Sequence, residues 1–381
     1  MHMKFTVNRS SFLKKLKDVQ LAVSARSTIP ILTGIKLIAD SQGIKMTGSN
    51  SDISIETLLS VKDESASLKI EEEGQIVLQP ARFFSDIVNK LPDDHFTIDV
   101  GDREQTSITS ASSSFLINGL DADNYPHLPE IDTAQSFTLP VNLLKKVIRQ
   151  TVIAVSIHET RPILTGVRLL IQDGKLKAVA TDSHRLSQRV IPIEGMEGLS
   201  HDLVIPGKSL QELTRLLDDT LEEIEVAIAE NQILFKTEDT YFYSRLLEGN
   251  YPETDRLIPE NSTTNVTLDA QVLLGAVERA SLLSHEGKNN VVKLSVKENS
   301  VEITGHSPEV GRVNEQVAYN DFSGEEMEIS FNPDYLKQAL NTFGPVEITV
   351  KLISTLRPFV LVPTEDTNDF IQLITPIRTS A

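Results

Sequence analysis

The chain has 381 residues, 40% of them hydrophobic and 24% charged, a composition that excludes global disorder and, at the usual domain size, gives two to four domains. Its 36 basic and 54 acidic residues leave a net charge of −18, which excludes a protein that coats nucleic acid by bulk attraction; any DNA contact must be local. There is no cysteine, so disulfides, thiolate nucleophiles, cysteine zinc sites and iron–sulfur clusters are excluded, and no apolar run approaches the length of a membrane span or a signal-peptide core, so a cytoplasmic protein away from membranes is expected.

Taken from the N-terminus, Met1 and His2 read as vector-derived residues before Met3, and Lys4 to Val7 alternates as a strand. Residues 9–24 follow as a helix with Phe12, Leu16, Val19 and Val23 on one face. Gln75 to Leu78 is a strand, Pro80 opens a helix through Leu91 because its missing N–H costs least in the first turn, and Phe96 to Val100 resumes strand alternation. Residues 141–156, 207–217, 270–284 and 333–341 are the later helices, giving six helices among many short strands.

The order repeats itself. Sliding the sequence by 132 residues lays Phe5–Leu37 on Phe137–Leu169 without a gap, and 13 of the 33 pairs are identical, against roughly two by chance from ordinary compositions. Asn124-Tyr125-Pro126 ends one unit and Asn250-Tyr251-Pro252 the next, while a diverged third copy starts near Val266. The expected domains are therefore 1–133, 134–262 and 263–381, units far larger than a solenoid repeat. The six helices carry a net +8, leaving −26 on the rest of the chain. Lys14 and Lys17, three apart, and Lys145 and Arg149, four apart, project away from the apolar stripes; such pairs suit either a solvated face or a surface shared with a polyanion.

Motifs for catalysis are weak. Asp182, Ser183 and His184 have triad chemistry, but on an extended strand adjacent side chains alternate in direction and cannot form a relay. His158, Glu159 and His184 lack metal-ligand spacing, and there is no GxxxxGK[ST] or GxGxxG loop. Glu71-Glu72-Glu73 and Asp93-Asp94 read as solvated loops. No catalytic residue, metal or cofactor is assigned. A peptide-binding scaffold and an acidic hydrolase are the competing readings, the second distinguished by turnover.

Thr28-Ile29-Pro30-Ile31-Leu32-Thr33-Gly34, Thr181-Asp182-Ser183-His184-Arg185-Leu186, Asn250-Tyr251-Pro252 with Arg256, and Pro376-Ile377-Arg378 together resemble the bacterial DNA sliding clamps, the beta subunits of the replicative DNA polymerase III holoenzyme, over essentially the whole chain. The resemblance implies an α+β chain of three similar clamp domains, each with two helices packed on antiparallel sheets. It further implies that the chain forms half of a closed ring, a head-to-tail homodimer with the helices lining the hole. Double-stranded DNA would be held topologically and without sequence readout, by Arg26, His158 and Arg161; Lys14, Lys17, Lys146 and Arg149 are added from the helix pattern. Aromatic residues found in some family members are replaced here by Pro162 and Ile163.

The resemblance also implies a pocket for an extended peptide rich in Gln, Leu and Phe, from the polymerase alpha subunit, the clamp loader, repair polymerases or mismatch-repair proteins. Its lining by matched position is Leu164, Thr181, Ser183, His184, Arg185, Leu186, Pro252, Arg256 and Leu257. Leu373, Ile374, Thr375, Pro376 and Arg378 complete it, with Leu356, Pro358 and Val360 close by. Ser183 stands where glycine is common, and Thr379, Ser380 and Ala381 extend past Arg378. At the ring seam Phe115 and Ile117 would meet Leu282 and Leu283.

Overall fold

The computed structural model describes residues 2–286, 289–365 and 369–379; Met1, Ser380 and Ala381 lie outside them. It divides into two compact units, one formed by Met1–Asn142 with Lys208–Leu246, the other by Leu143–Gly207 with Leu247–Ala381.

Six helices recur among the described residues: α1 Arg9–Gln20, α2 Ala81–Lys90, α3 Val141–Thr151, α4 Gly207–Leu216, α5 Ala270–His285 and α6 Pro333–Phe343. Each repeat opens with a strand that hands the chain directly to a helix. In the first, Met3–Asn8 buries every second residue, and the Asn8 side chain caps α1 by accepting from the Ser11 N–H at 3.1 Å. Phe12 of α1 then packs on Phe5, Phe84 and Phe96 at centroid distances of 6.1, 6.1 and 5.1 Å, so one ring ties the strand, both helices and the sheet into a core. In the third repeat Asp269 and Asn332 cap α5 and α6 in the same way.

Two helices are shorter than their apolar periodicity predicts. α1 stops at Gln20 rather than 24, and Val23 is half-buried beyond it while Ala22 takes the buried position. α3 stops at Thr151 and passes into a 3₁₀ turn over Val152–Ala154; the Thr151 hydroxyl donates back to the Val147 carbonyl at 2.8 Å, competing with continuation of the helix. Pro80 is the residue before α2 rather than its first, with extended ψ of 146°.

All strand pairings among the described residues are antiparallel. The first unit holds a 13-stranded sheet, and the second a nine-stranded and a four-stranded sheet. Neighbouring repeats are joined by main-chain ladders that follow one rule. Thr240–Arg245 of the second repeat pairs with Ile53–Ser60 of the first, from Thr240↔Thr57 to Ser244↔Ile53. Phe370–Ile374 of the third pairs with Arg185–Pro192 of the second, from Arg185↔Ile374 to Arg189↔Phe370. The receiving strands start at Ile53 and Arg185, the same 132-residue offset that relates the sequences.

At the first junction Lys15 of α1 pairs with Asp239, and Asp18 stands beside them, its carboxyl pushed up to about 6 because burial outweighs the attraction of Lys15 and Lys14. Gln150 occupies the position of Asp18 in the second repeat. There the buried Gln372 amide donates to the Gln150 carbonyl at 2.9 Å and to the Thr342 hydroxyl at 3.2 Å, and accepts from Ser187. No helix of the described residues is long and apolar enough to cross a membrane.

Candidate partner-binding site

The sheet that joins the second and third repeats also builds a small apolar cluster of the second unit, bordered by exposed leucines. Registers across four neighbouring strands place Thr181 opposite Leu186, Leu186 opposite Leu373, and Leu373 opposite Val360. All four side chains share one face by strand alternation. Val179, Leu186, Val360, Val362 and Leu373 form a buried cluster, against which Tyr251, Ile258 and Ile371 pack. Leu186, Leu373 and Val360, named from separate stretches of sequence, are thus neighbours. Leu164 is buried in a 3₁₀ turn, Pro162–Thr165, and Pro252 is half-buried. Leu257 and Leu356 are 50% and 59% exposed, a large fraction for leucine, and Arg256 beside Leu257 is exposed. Pro358, Thr375 and Pro376 are half-buried and Arg378 is exposed.

Tyr251 fixes the rim. Its hydroxyl accepts from the Thr181 N–H at 3.0 Å, and burial pushes its phenol up to about 12, so it stays a neutral hydrogen-bonding group. The Thr181 hydroxyl donates to the Arg185 carbonyl at 2.7 Å and accepts from the Ser183 N–H at 3.2 Å.

Residues 182–184 form a turn between two strands, not the extended strand expected from sequence. The conclusion that no relay forms survives for a different reason. Asp182 Oδ1 accepts from the His184 and Arg185 N–H groups at 2.9 and 3.1 Å, and Oδ2 accepts from Arg185 Nε at 3.1 Å, so the carboxylate is committed to the turn. Ser183 has φ of +77°, a left-handed conformation that glycine adopts without strain.

Arg185 and Ile374 lie on the opposite face of the sheet from Leu186 and Leu373. Ile374 packs with Phe359 in the core of the third repeat. The Arg185 guanidinium sits 4.4 Å from the Tyr335 ring centroid and donates to Gln338, while the exposed His184 ring stacks on Tyr335 at 6.5 Å. The His184 carbonyl accepts from the Thr375 N–H at 2.9 Å, anchoring the C-terminal segment. Tyr335 and Gln338, both on α6, were missed from sequence because α6 offers only ordinary helix periodicity; nothing in it points to residue 184.

The expected DNA-facing cations are all exposed: Lys14, Lys17, Arg26, Lys146, Arg149, His158 and Arg161. Lys14 also pairs with Asp218 at 3.7 Å. Of the expected seam residues, Phe115 and Leu282 are 38% and 71% exposed and Ile117 and Leu283 half-buried; the intervening Leu116, not named from sequence, is 68% exposed. His158, Glu159 and His184 form no metal cluster, and no group of three or more such ligands gathers among the described residues.

Tandem repeats joined through sheet edges, with an apolar row framed by hydrogen-bonded turns, define a modular protein built from repeated domains. The known relatives specify which. Family models described as the N-terminal, central and C-terminal domains of the DNA polymerase III beta subunit match residues 3–129, 138–253 and 255–378. The beta sliding clamp of Bacillus subtilis strain 168 is 48% identical over 99% of this chain and 100% of its own length, and that of Halalkalibacterium halodurans is 45% identical over the same shares. The crystal structure of the Bacillus subtilis clamp superposes with a TM-score of 0.96, covering 100% of both chains at 48% identity. A Pseudomonas aeruginosa clamp solved bound to griselimycin, 26% identical, gives 0.91 with 100% of both chains covered. The chain belongs to the family of bacterial beta sliding clamps, the non-catalytic beta subunits of DNA polymerase III.

Proposed function

We propose that two copies of this chain close head to tail into a ring that encircles duplex DNA, and that the Leu186–Leu373–Val360 surface tethers the polymerase alpha subunit, the clamp loader and repair proteins by their peptides. Domain boundaries near 133 and 262 go with this reading, each lying just before a strand that opens the next repeat, Phe137–Pro140 and Thr264–Asp269.

The observation that carries the ring is the junction rule. The strand of the third repeat equivalent to Ile53–Ser60 and Arg185–Pro192 is Gly311–Gln316, which among the described residues pairs only with Ser300–Ser307. The strand of the first repeat equivalent to Thr240–Arg245 and Phe370–Ile374 is Ser113–Leu120. Residues 113–118 pair with Gln105–Ser110 and, among the described residues, have no strand on their other side. A third use of the same ladder needs a second copy, and two such seams cover both of these edges in each chain. Exposed Phe115, Leu116 and Leu282 supply apolar contact there. The exposed cations at 14, 17, 26, 146, 149, 158 and 161 would meet phosphates weakly and without base readout, as sliding requires, while an acidic remainder disfavours DNA elsewhere.

Scattering on the purified protein tests this directly: a hollow particle of twice 42.2 kDa that is retained on closed circular DNA and runs off linear ends is expected. A compact single-chain particle at micromolar concentration would refute the ring.

A further inference from the structure

Beside the partner surface, and sharing Val360 with it, lies a cavity of about 350 Å³. Its floor is apolar: Val360, Val362 and Ile371 from the sheet, with Ile258 and Ile353. The cross-strand row that builds the partner surface continues into it, because Lys351 stands opposite Val360 in the next strand, so Thr181, Leu186, Leu373, Val360 and Lys351 form one line over five strands. Lys351 is half-buried with no ion-pair partner among the described residues, in a chain of net charge −18. Gln188, opposite Ile371 in the neighbouring row, is only 7% exposed, and its Oε1 carries no hydrogen bond among the described groups. Asp255 and Glu260 also line the cavity; Asp255 is paired with Lys177 and Glu260 is exposed.

These groups lack three things: an apolar side chain over the floor, an N–H for a buried carbonyl oxygen, and an anion for a half-buried ammonium. A single C-terminal aliphatic residue supplies all three. The volume is at the low end for ligand pockets, which fits one or two residues and argues for a chain end rather than a strand passing through. With strands about 4.8 Å apart, Lys351 lies about 10 Å from Leu373, a distance that about three extended residues span.

We propose that this cavity is a second compartment of the partner site, binding the C-terminal aliphatic residue of a peptide whose apolar anchors occupy the Leu186–Leu373 surface, with its carboxylate on Lys351 and its amide N–H on Gln188. The proposal rests on the reading of that surface as a peptide site.

The probe is N-acetyl-L-leucine, titrated into the full-length protein and followed by methyl NMR. Shifts at Val360, Val362, Ile371 and Ile258 are expected, with N-acetyl-L-leucinamide binding about five- to tenfold more weakly, the share of a charge-assisted hydrogen bond. Lys351→Met, which keeps the stem, should erase that preference, and Glu260→Gln should strengthen carboxylate binding. Shifts confined to Leu186, Leu257 and Leu373, no shifts at all, or a preference unchanged in Lys351→Met would overturn the proposal. A polymerase peptide rich in Gln, Leu and Phe, run in parallel, separates the two readings. If it shifts Leu186 and Leu373 while N-acetyl-leucine leaves the cavity silent, only the second compartment falls; if it too is silent, the peptide site itself falls.

Discussion

Asp18 offers a test of how the first two repeats are held together. In the folded chain its carboxyl titrates at about 6 because burial disfavours the charged form more than Lys15 and Lys14 favour it, whereas unfolded it titrates near 3.9. Between those values the folded state binds more protons than the unfolded one, so stability from this group is full below about pH 4 and falls as pH rises to about 6. A shift of about two units has a ceiling near 3 kcal/mol, and solvent screening of a half-buried group reduces this to about 1–2 kcal/mol. Asp18→Asn keeps the shape and removes the ionisation. The variant should match the wild type in urea midpoint near pH 4 and exceed it by that amount above pH 7, with an unchanged m-value. A stability difference that stays constant from pH 4 to 8, or a variant weaker at pH 8, would refute the assignment of burial as the dominant cause.

Three further outcomes are expected. Leu282→Glu together with Leu283→Glu should give folded monomers by light scattering, and an unchanged dimer mass would show the seam misplaced. Tyr251→Phe leaves the Thr181 N–H without its acceptor, which should cost about 1–3 kcal/mol and weaken peptide binding to the Leu186–Leu373 surface in calorimetry; wild-type affinity would show that the rim is not needed. Ser183→Gly should raise stability by about 0.5–1 kcal/mol by relieving the left-handed conformation, less the added freedom of the unfolded chain, and a lower melting temperature would count against the strain.

The repeats were legible in the sequence because duplication preserves apolar spacing, and the 132-residue offset reappears in the structure as equivalent strands at Ile53 and Arg185. Helix ends were not, because they are decided by local competition: the Thr151 hydroxyl back-bonds to Val147, and periodicity carries no sign of that. Leu186, Leu373 and Val360 were identified through motif resemblance, and their adjacency follows only from the register by which two consecutive C-terminal strands pair with a strand far earlier in the chain. The turn at 182–184 was read as strand because its polar residues follow an alternating run; what bends it is Asp182 accepting from the backbone of the next residues. The polar contact of Gln372 with Gln150 and Ser187 had no signal at all, since lone glutamines and serines are ordinary anywhere.

The ladders between repeats carry one more implication, which concerns where such an assembly yields. At both internal junctions five residue pairs are matched, and the strands are covalent parts of one chain, so each finds its mate at a fixed effective concentration set by the linking polypeptide. A ladder of similar length between two chains has no such tether. In the proposed ring, dilution, or a protein that pulls on one edge, would act on the intermolecular pair alone, so the repeats would stay joined while the ring opened at its seams.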